Sequence, residues 1–344
     1  MTELSERQKF ILTLVVHEYI KSGVPVGSQH LVERYRLDMS SATVRNELAA
    51  LTDMGYLNQP HTSAGRIPSE EGYRYFVGRL LQETDLPDAT RRTITHQFYQ
   101  MRNDVEQWMR LSASVLAHQS RSASLVTAPH PEIAHFKHVE LISTRGRQVL
   151  MVLVMVGGEI HQHLVSLNEP TPQESLSVIA NKLTHLFEGK DAENIRAQRT
   201  SLQGLELDAT DWILTEMDLA NTQIAGEVFF DGLSNVLSEP EFLGSETAHR
   251  AMRVLEERSR LQDLLSRTLA TSTSGGVQVL IGGEGTWDEL RPFSLVLARY
   301  GTPGLITGTL GVMGPMRMPY GRAISTIRFL AGLLSGLVSD TLVN

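Results

Sequence analysis

The 344-residue chain has no cysteine, which removes disulfides and thiolate-held zinc and fits a reducing cytoplasm. It lacks a long uncharged apolar run, and Met1 to Phe10 is already polar and charged, so neither a membrane span nor a secretory leader is expected. Internal repeats are absent, as is low complexity beyond one Ser/Thr/Gly stretch. No Gly-Lys-Ser/Thr phosphate loop, full dinucleotide fingerprint or nucleophile elbow occurs, so an enzyme is not expected and no cofactor is implied. A surplus of positive charge is missing too. The net charge is -8, with 9 Lys+Arg against 9 Asp+Glu in residues 1–80 and 22 against 30 in the remainder. An acidic body weakens non-specific phosphate binding. Any affinity for nucleic acid must therefore rest on a local patch around Lys21, Arg45, Arg66 and Arg74 or Arg79, and must fall steeply with salt.

What is present concentrates between Ser40 and Tyr75. Ser40 or Ser41 can cap a helix in which Val44, Leu48 and Leu51 form a buried stripe. The opposite face carries Ala42, Arg45, Asn46 and Ala49, two long hydrogen-bonding side chains among small ones. Arg is the common bidentate partner of guanine and Asn of adenine, each pair giving roughly 1–3 kcal/mol of discrimination. Upstream, Glu6 to Ser22 reads as a helix with Ile11, Leu14, Val15 and Tyr19 inward, and Ser28 opens a second with Leu31 and Val32 inward. Downstream of Gly55, residues 56–59 read as a strand, His61 to Gly65 as its turn and Arg66 to Pro68 as the return. Three helices followed by a small hairpin are the layout of a winged helix-turn-helix. Its candidate DNA contacts are Ser41, Thr43, Arg45 and Asn46 on the helix, with His61, Thr62, Ser63 and Arg66 on the hairpin.

The run SATVRNEL followed by GYLNQPHTSAGRIPSEEGYRYFV resembles the HrcA family of bacterial heat-inducible transcription repressors. So does GVQVLIGGE, SLVLARYG and GTLGVMGPMRMPYGRAI, in that order, between Gly276 and Leu334; Met316 and Pro319 depart from the smaller polar and acidic residues expected there. The resemblance implies an α+β multidomain protein: a winged helix, a GAF-like antiparallel-sheet domain, and a mainly helical dimerisation domain inserted in it. It further implies a homodimer that binds an inverted-repeat operator in double-stranded DNA upstream of chaperonin genes, with chaperonin modulating its activity.

The remaining chain is divided accordingly: 1–82 as the DNA-binding domain, 83–120 as linker and long connecting helix, 121–189 with 276–344 as the GAF-like domain, and 190–275 as the insert. From Ile94 to Val115 apolar residues alternate four and three apart in one helix, which can pair with its copy or pack on its own sheet. Phe136 to Leu167 reads as an antiparallel meander. Thr171 caps a helix carrying Leu176, Ile179, Leu183 and Leu186, and strands resume only after Val277. Residues 190–275 read as helical, including Ile224 and Val228, and exit through Thr271 to Gly276.

Other fragments carry weaker signals. Gly282 to Gly285 follows a strand as a phosphate-cradling turn would, and His161 and His163 share a strand face, but neither has the further ligands such chemistry needs. The rival function is a winged-helix regulator whose GAF-like domain senses a small-molecule effector.

Overall fold

Ser5 starts the first helix with a reciprocal cap: its hydroxyl accepts from the Gln8 amide, and the Gln8 side chain accepts from the Ser5 amide. Helix α1 (Glu6–Ser22) then runs to Gly23, whose positive φ of 66° ends it. Helices α2 (Ser28–Tyr35) and α3 (Ser41–Asp53) follow, and Ile11, Val15, Leu31, Val44, Leu48 and Leu51 close a common core. In the computed structural model the described residues are all except 1–3, 83–84, 102–103, 132, 157–159, 223–226, 243–252, 254–256, 270–275, 283–289 and 344.

Two short strands, β1 (Leu57–Asn58) and β2 (Ile67–Pro68), pair antiparallel after α3. A third segment joins them, because Val26 and Arg66 exchange both backbone hydrogen bonds, at 2.9 and 2.8 Å. The loop between α1 and α2 is thereby tied to the hairpin. Helix α4 (Glu70–Tyr75) continues into a wider π turn over Phe76–Leu80.

By internal contacts the chain forms two compact units, Met1–Ala128 with Glu227–Tyr300 and Thr309–Leu337, and Pro129–Gly226 with Gly301–Gly308 and Val338–Asn344. In the first, α5 (Asp88–Gln100) and α6 (Val105–Ser120) precede an antiparallel sheet of β3 (Ala123–Thr127), β8 (Val228–Asp231), β9 (Val277–Ile281), β10 (Phe293–Thr302) and β11 (Ile306–Pro315). Its order is β8-β3-β11-β10-β9. Helix α6 packs on β3 and β8. The Tyr300 hydroxyl, buried among apolar neighbours, donates to the Thr127 carbonyl at 2.5 Å and so pins β10 to β3. Helices α10 (Leu233–Leu237), α11 (Arg258–Leu269) and α12 (Tyr320–Val338) complete the unit. Residues 320–342 are long and apolar enough to cross a membrane by length and composition alone, yet Ala323, Ile327, Leu330 and Leu334 are fully buried.

In the second unit, β5 (Phe136–Ser143), β6 (Gln148–Met155) and β7 (Ile160–Ser166) form a separate three-stranded sheet. One face carries Val139, Leu141, Met151 and Leu153 against α7 (Gln173–Phe187) and α9 (Leu205–Thr222), with α8 (Ala192–Gln198) beside them. The other face is open. Ile142, Leu150 and Leu164 align across it in one row, and Val154 with Ile160 in another. The short strand β4 (His130–Pro131) pairs with Ile306 and Thr307.

Four expectations differ from what is observed. The seam from Ile94 to Val115 is two helices: Met101 is extended, and the Asp104 carboxylate caps α6 by accepting from the Gln107 amide. Val228 lies in a strand, since its β-branched side chain and the two following phenylalanines suit a sheet better than a helix. Thr171 does not cap α7; its hydroxyl donates to Glu169 and Pro172 holds the cap position. Among the described residues the meander shares no pairing with β8 to β11, and internal contacts group it within 129–226 instead of with the strands after Val277. Local periodicity identifies strands but not which sheet they join. The expected exit at 271–275, Ile224 and the 157–158 turn lie outside the described residues.

Candidate nucleic-acid interface

Helix α3 gets its start from Ser40, whose hydroxyl accepts from the Thr43 amide at 3.1 Å. With Val44, Leu48 and Leu51 buried, helical geometry turns Ser41, Ala42, Arg45 and Asn46 outward, and all four are exposed. No hydrogen bond or ion pair with another described residue engages Arg45 or Asn46. Thr43 differs: it is half-buried, with its hydroxyl 2.9 Å from that of Ser40, so it serves the cap.

The hairpin tip is built from its own backbone. The Ala64 amide donates to the His61 carbonyl at 2.8 Å, and the Gln59 amide group donates to the carbonyls of Thr62 and Ala64 at 2.9 and 3.1 Å. His61, Thr62 and Ser63 are left exposed. Arg66 is half-buried, and its Nε donates to the Thr52 hydroxyl at 2.8 Å, which in turn donates to the Leu48 carbonyl. This side chain therefore fastens the hairpin to α3. Gly65 makes the fastening possible, since a Cβ there would lie 2.4 Å from the Val26 carbonyl carbon.

The structure thus brings Ser41, Arg45, Asn46, His61, Thr62 and Ser63 to the surface, and leaves Thr43 and Arg66 half-buried, each hydrogen-bonded within the head. Sequence reading missed Gln59 and Thr52, and also Glu18. Glu18 interrupts the apolar side of α1 and is 7% exposed, accepting from the Tyr35 hydroxyl at 2.9 Å and lying 2.9 Å from His30 Nε2. The His30 hydrogen bond, aided by Tyr35 and Arg34, holds its carboxyl below the usual range against the cost of burial. Burial and the bond to Glu18 push Tyr35 up to about 12. A depressed folded-state pKa contributes stability that is complete above the unfolded value of 4.5 and is lost as pH falls through the lower folded value. Glu18→Gln is therefore expected to lower the melting temperature at pH 7, with the gap to the unmodified protein closing below about pH 4. A gap unchanged from pH 7 to pH 3 would remove the charge from that account.

The weaker candidates resolve differently. His161 Nδ1 lies 2.9 Å from Glu216, and His163 stacks on Trp212 at 5.8 Å between ring centres. Among the described residues no three His, Asp or Glu side chains gather as a metal site would need. Gly282 lies against the Glu70 carboxylate, 2.7 Å from a Cβ built there, a neighbour that repels phosphate. Gly283 to Gly285 lie outside the described residues.

Residues 106–324 match the family described as HrcA protein C terminal domain. The heat-inducible transcription repressor HrcA of Roseiflexus castenholzii is 42% identical over 98% of this chain and 96% of its own length. That of Chloroflexus aurantiacus is 40% identical over 98% and 94%. A crystal structure of a hypothetical protein at 2.2 Å resolution shares the fold, with a TM-score of 0.62 and 22% identity over 98% of this chain and all of that one. With identity at this level through both the three-helix head and the sheet behind it, the chain belongs to the HrcA family, whose curated relatives are named heat-inducible transcription repressors.

Proposed function

We propose that the chain is a DNA-binding transcription repressor acting in the bacterial cytoplasm, and not an enzyme. The observation that carries this reading is the exposed pair Arg45 and Asn46 on a helix whose other face is fully committed to the core. Residues 4–75 serve as a winged helix-turn-helix, α3 entering the major groove and His61, Thr62 and Ser63 gripping the flanking backbone or minor groove. Ser41 supplies a helix N-terminal amide to a phosphate. The sheet of β3 and β8 to β11 supplies the GAF-like body.

The operator is an inverted repeat upstream of chaperonin genes, read by a homodimer, and chaperonin supports the repressing state. Two-fold pairing places two heads on two half-sites. The segment best suited to pairing is the inserted unit, where Ile160 is 61% exposed and Leu164 54% on the open sheet face. Leu164→Lys is expected to shift the protein from dimer to monomer in light scattering; a dimer of unchanged stability would place the interface elsewhere.

Footprinting on the region upstream of the organism's chaperonin operon, with and without added chaperonin, tests the whole reading. Protection of both arms of an inverted repeat, extended by chaperonin, is the expected result, and no protection at any concentration defeats it. A second reading, control by a small-molecule effector, would use the cavity of about 380 Å³ in the first unit that Val77, Val279 and Ile324 help to line.

A further inference from the structure

The run GPMRMPYG, singled out in the sequence, places two side chains against the three-helix head. Arg317, in the turn between β11 and α12, has a side chain only 16% exposed. Its Nε donates to Glu241 at 2.7 Å, and its Nη2 donates to Glu241 at 2.9 Å and also to Glu239, two carboxylates that follow α10. The same guanidinium lies against the end of α1, its Nε 3.6 Å from a Cβ built on Gly23. The last carbonyls of a helix carry partial negative charge, so one cation joins two carboxylates of the body to the negative end of a head helix.

Three residues on, Tyr320 opens α12 with its ring 5.9 Å from that of Tyr73 on α4. Tyr73 is 1% exposed, and among the described residues its hydroxyl has no hydrogen-bond partner. A hydroxyl buried without a partner has lost its hydration and regains it when the contact opens. Arg317 therefore favours a docked head, and Tyr73 opposes it. A further tie runs from Arg74 to the Ile281 carbonyl at 3.2 Å, but that guanidinium is shared with Glu70 and Glu71 of its own helix.

We propose that Arg317 is the positioning residue of the head: it holds α1 in one orientation on the sheet-bearing body, and the unpaired Tyr73 hydroxyl keeps the docked and released arrangements close in free energy. This rests on the reading of residues 4–75 as the DNA-reading head and adds what sets its orientation. Docked heads present the two α3 helices of a dimer at one spacing, whereas released heads must find their half-sites independently.

The chain has no cysteine, so Glu33→Cys on the exposed side of α2 and Ser114→Cys on that of α6 give one spin-label pair from head to body. Distances are measured by pulsed electron spin resonance on labelled chain diluted with unlabelled chain, without DNA. One narrow distribution is expected, which Arg317→Gln splits by lowering the docked-to-released ratio about tenfold or more while the circular dichroism melt persists. Tyr73→Phe added to Arg317→Gln should raise that ratio again by about fivefold or more, because it removes the unpaired hydroxyl and keeps the ring. Glu239→Gln with Glu241→Gln releases the head from the body side should Arg317→Gln not fold. Distributions unchanged by both routes of release, or a Tyr73→Phe double variant no more docked than Arg317→Gln alone, would overturn the assignment. With DNA, Arg317→Gln should weaken binding to an inverted repeat about fivefold or more and leave a single half-site unaffected, and equal loss on both would deny it a positioning role. A head that binds neither duplex even when unmodified would defeat the DNA-reading assignment and leave the distances standing.

Discussion

Arg45→Ala and Asn46→Ala should each weaken operator binding by about 1–3 kcal/mol while changing affinity for random duplex far less. The expectation follows from geometry and from desolvation. Both side chains leave α3 on the face opposite Val44, Leu48 and Leu51, and neither has a side-chain partner among the described residues to give up on binding. A bidentate contact that forms only on the right base contributes to specific binding alone, whereas a phosphate contact contributes to every sequence. Competition titrations with operator and random duplex at one fixed salt concentration separate these cases. Equal losses on both would leave Arg45 as a backbone contact and remove base reading from α3. Helix stability is not in question for either variant, because both positions are exposed and alanine favours helix.

Gly65→Ala is expected to cost about 2–4 kcal/mol of head stability, a larger effect than its one added methyl suggests. Its Cβ would stand 2.4, 2.5 and 2.7 Å from the carbonyl carbon, oxygen and nitrogen of Val26, so no rotamer relieves the clash. The Val26 and Arg66 backbones must separate, which breaks both of their mutual hydrogen bonds and withdraws Arg66 from Thr52. Hydrogen exchange at the Val26 and Arg66 amides reads the loss directly, and protection equal to that of the unmodified chain would contradict it. Gly78→Ala makes the control. With nothing within 4 Å of the added carbon, it should leave stability unchanged or raise it by up to about 1 kcal/mol.

Much of the head was legible in the sequence because its signals are local. The Ser40 cap, the Val44-Leu48-Leu51 stripe and the Gly55 stop each lie within one helix, and the hairpin lies within a dozen residues of it. Arg45 and Asn46 fall on the outward face because burial of the stripe leaves no alternative. The internal bond of Arg66 was not legible, for the complementary reason. An arginine beside a polar turn reads as a phosphate ligand unless one knows that Thr52 lies within reach of its Nε. Glu18 carried a faint signal, an acid among Leu14, Val15 and Tyr19, but its partners His30 and Tyr35 sit on another helix. The body was harder. Meander and late strands share the same alternation, and only pairing distinguishes a sheet closed at β5 to β7 from one that joins β3 to β11. The break between α5 and α6 was hidden because the apolar spacing persists straight across it.

The pairing of β3 also sets an order of events during synthesis. Val126 meets Phe229 on one side and Leu310 on the other, so the strand leaves the ribosome long before its second neighbour has been translated. Until then a run of five residues that end up buried, Ala123–Thr127, has an unsatisfied edge in a nascent chain. Such high contact order slows folding and lengthens exposure to self-association. It is in that interval that Leu125 and Val126, buried in the finished sheet, are open to contact with other apolar chains.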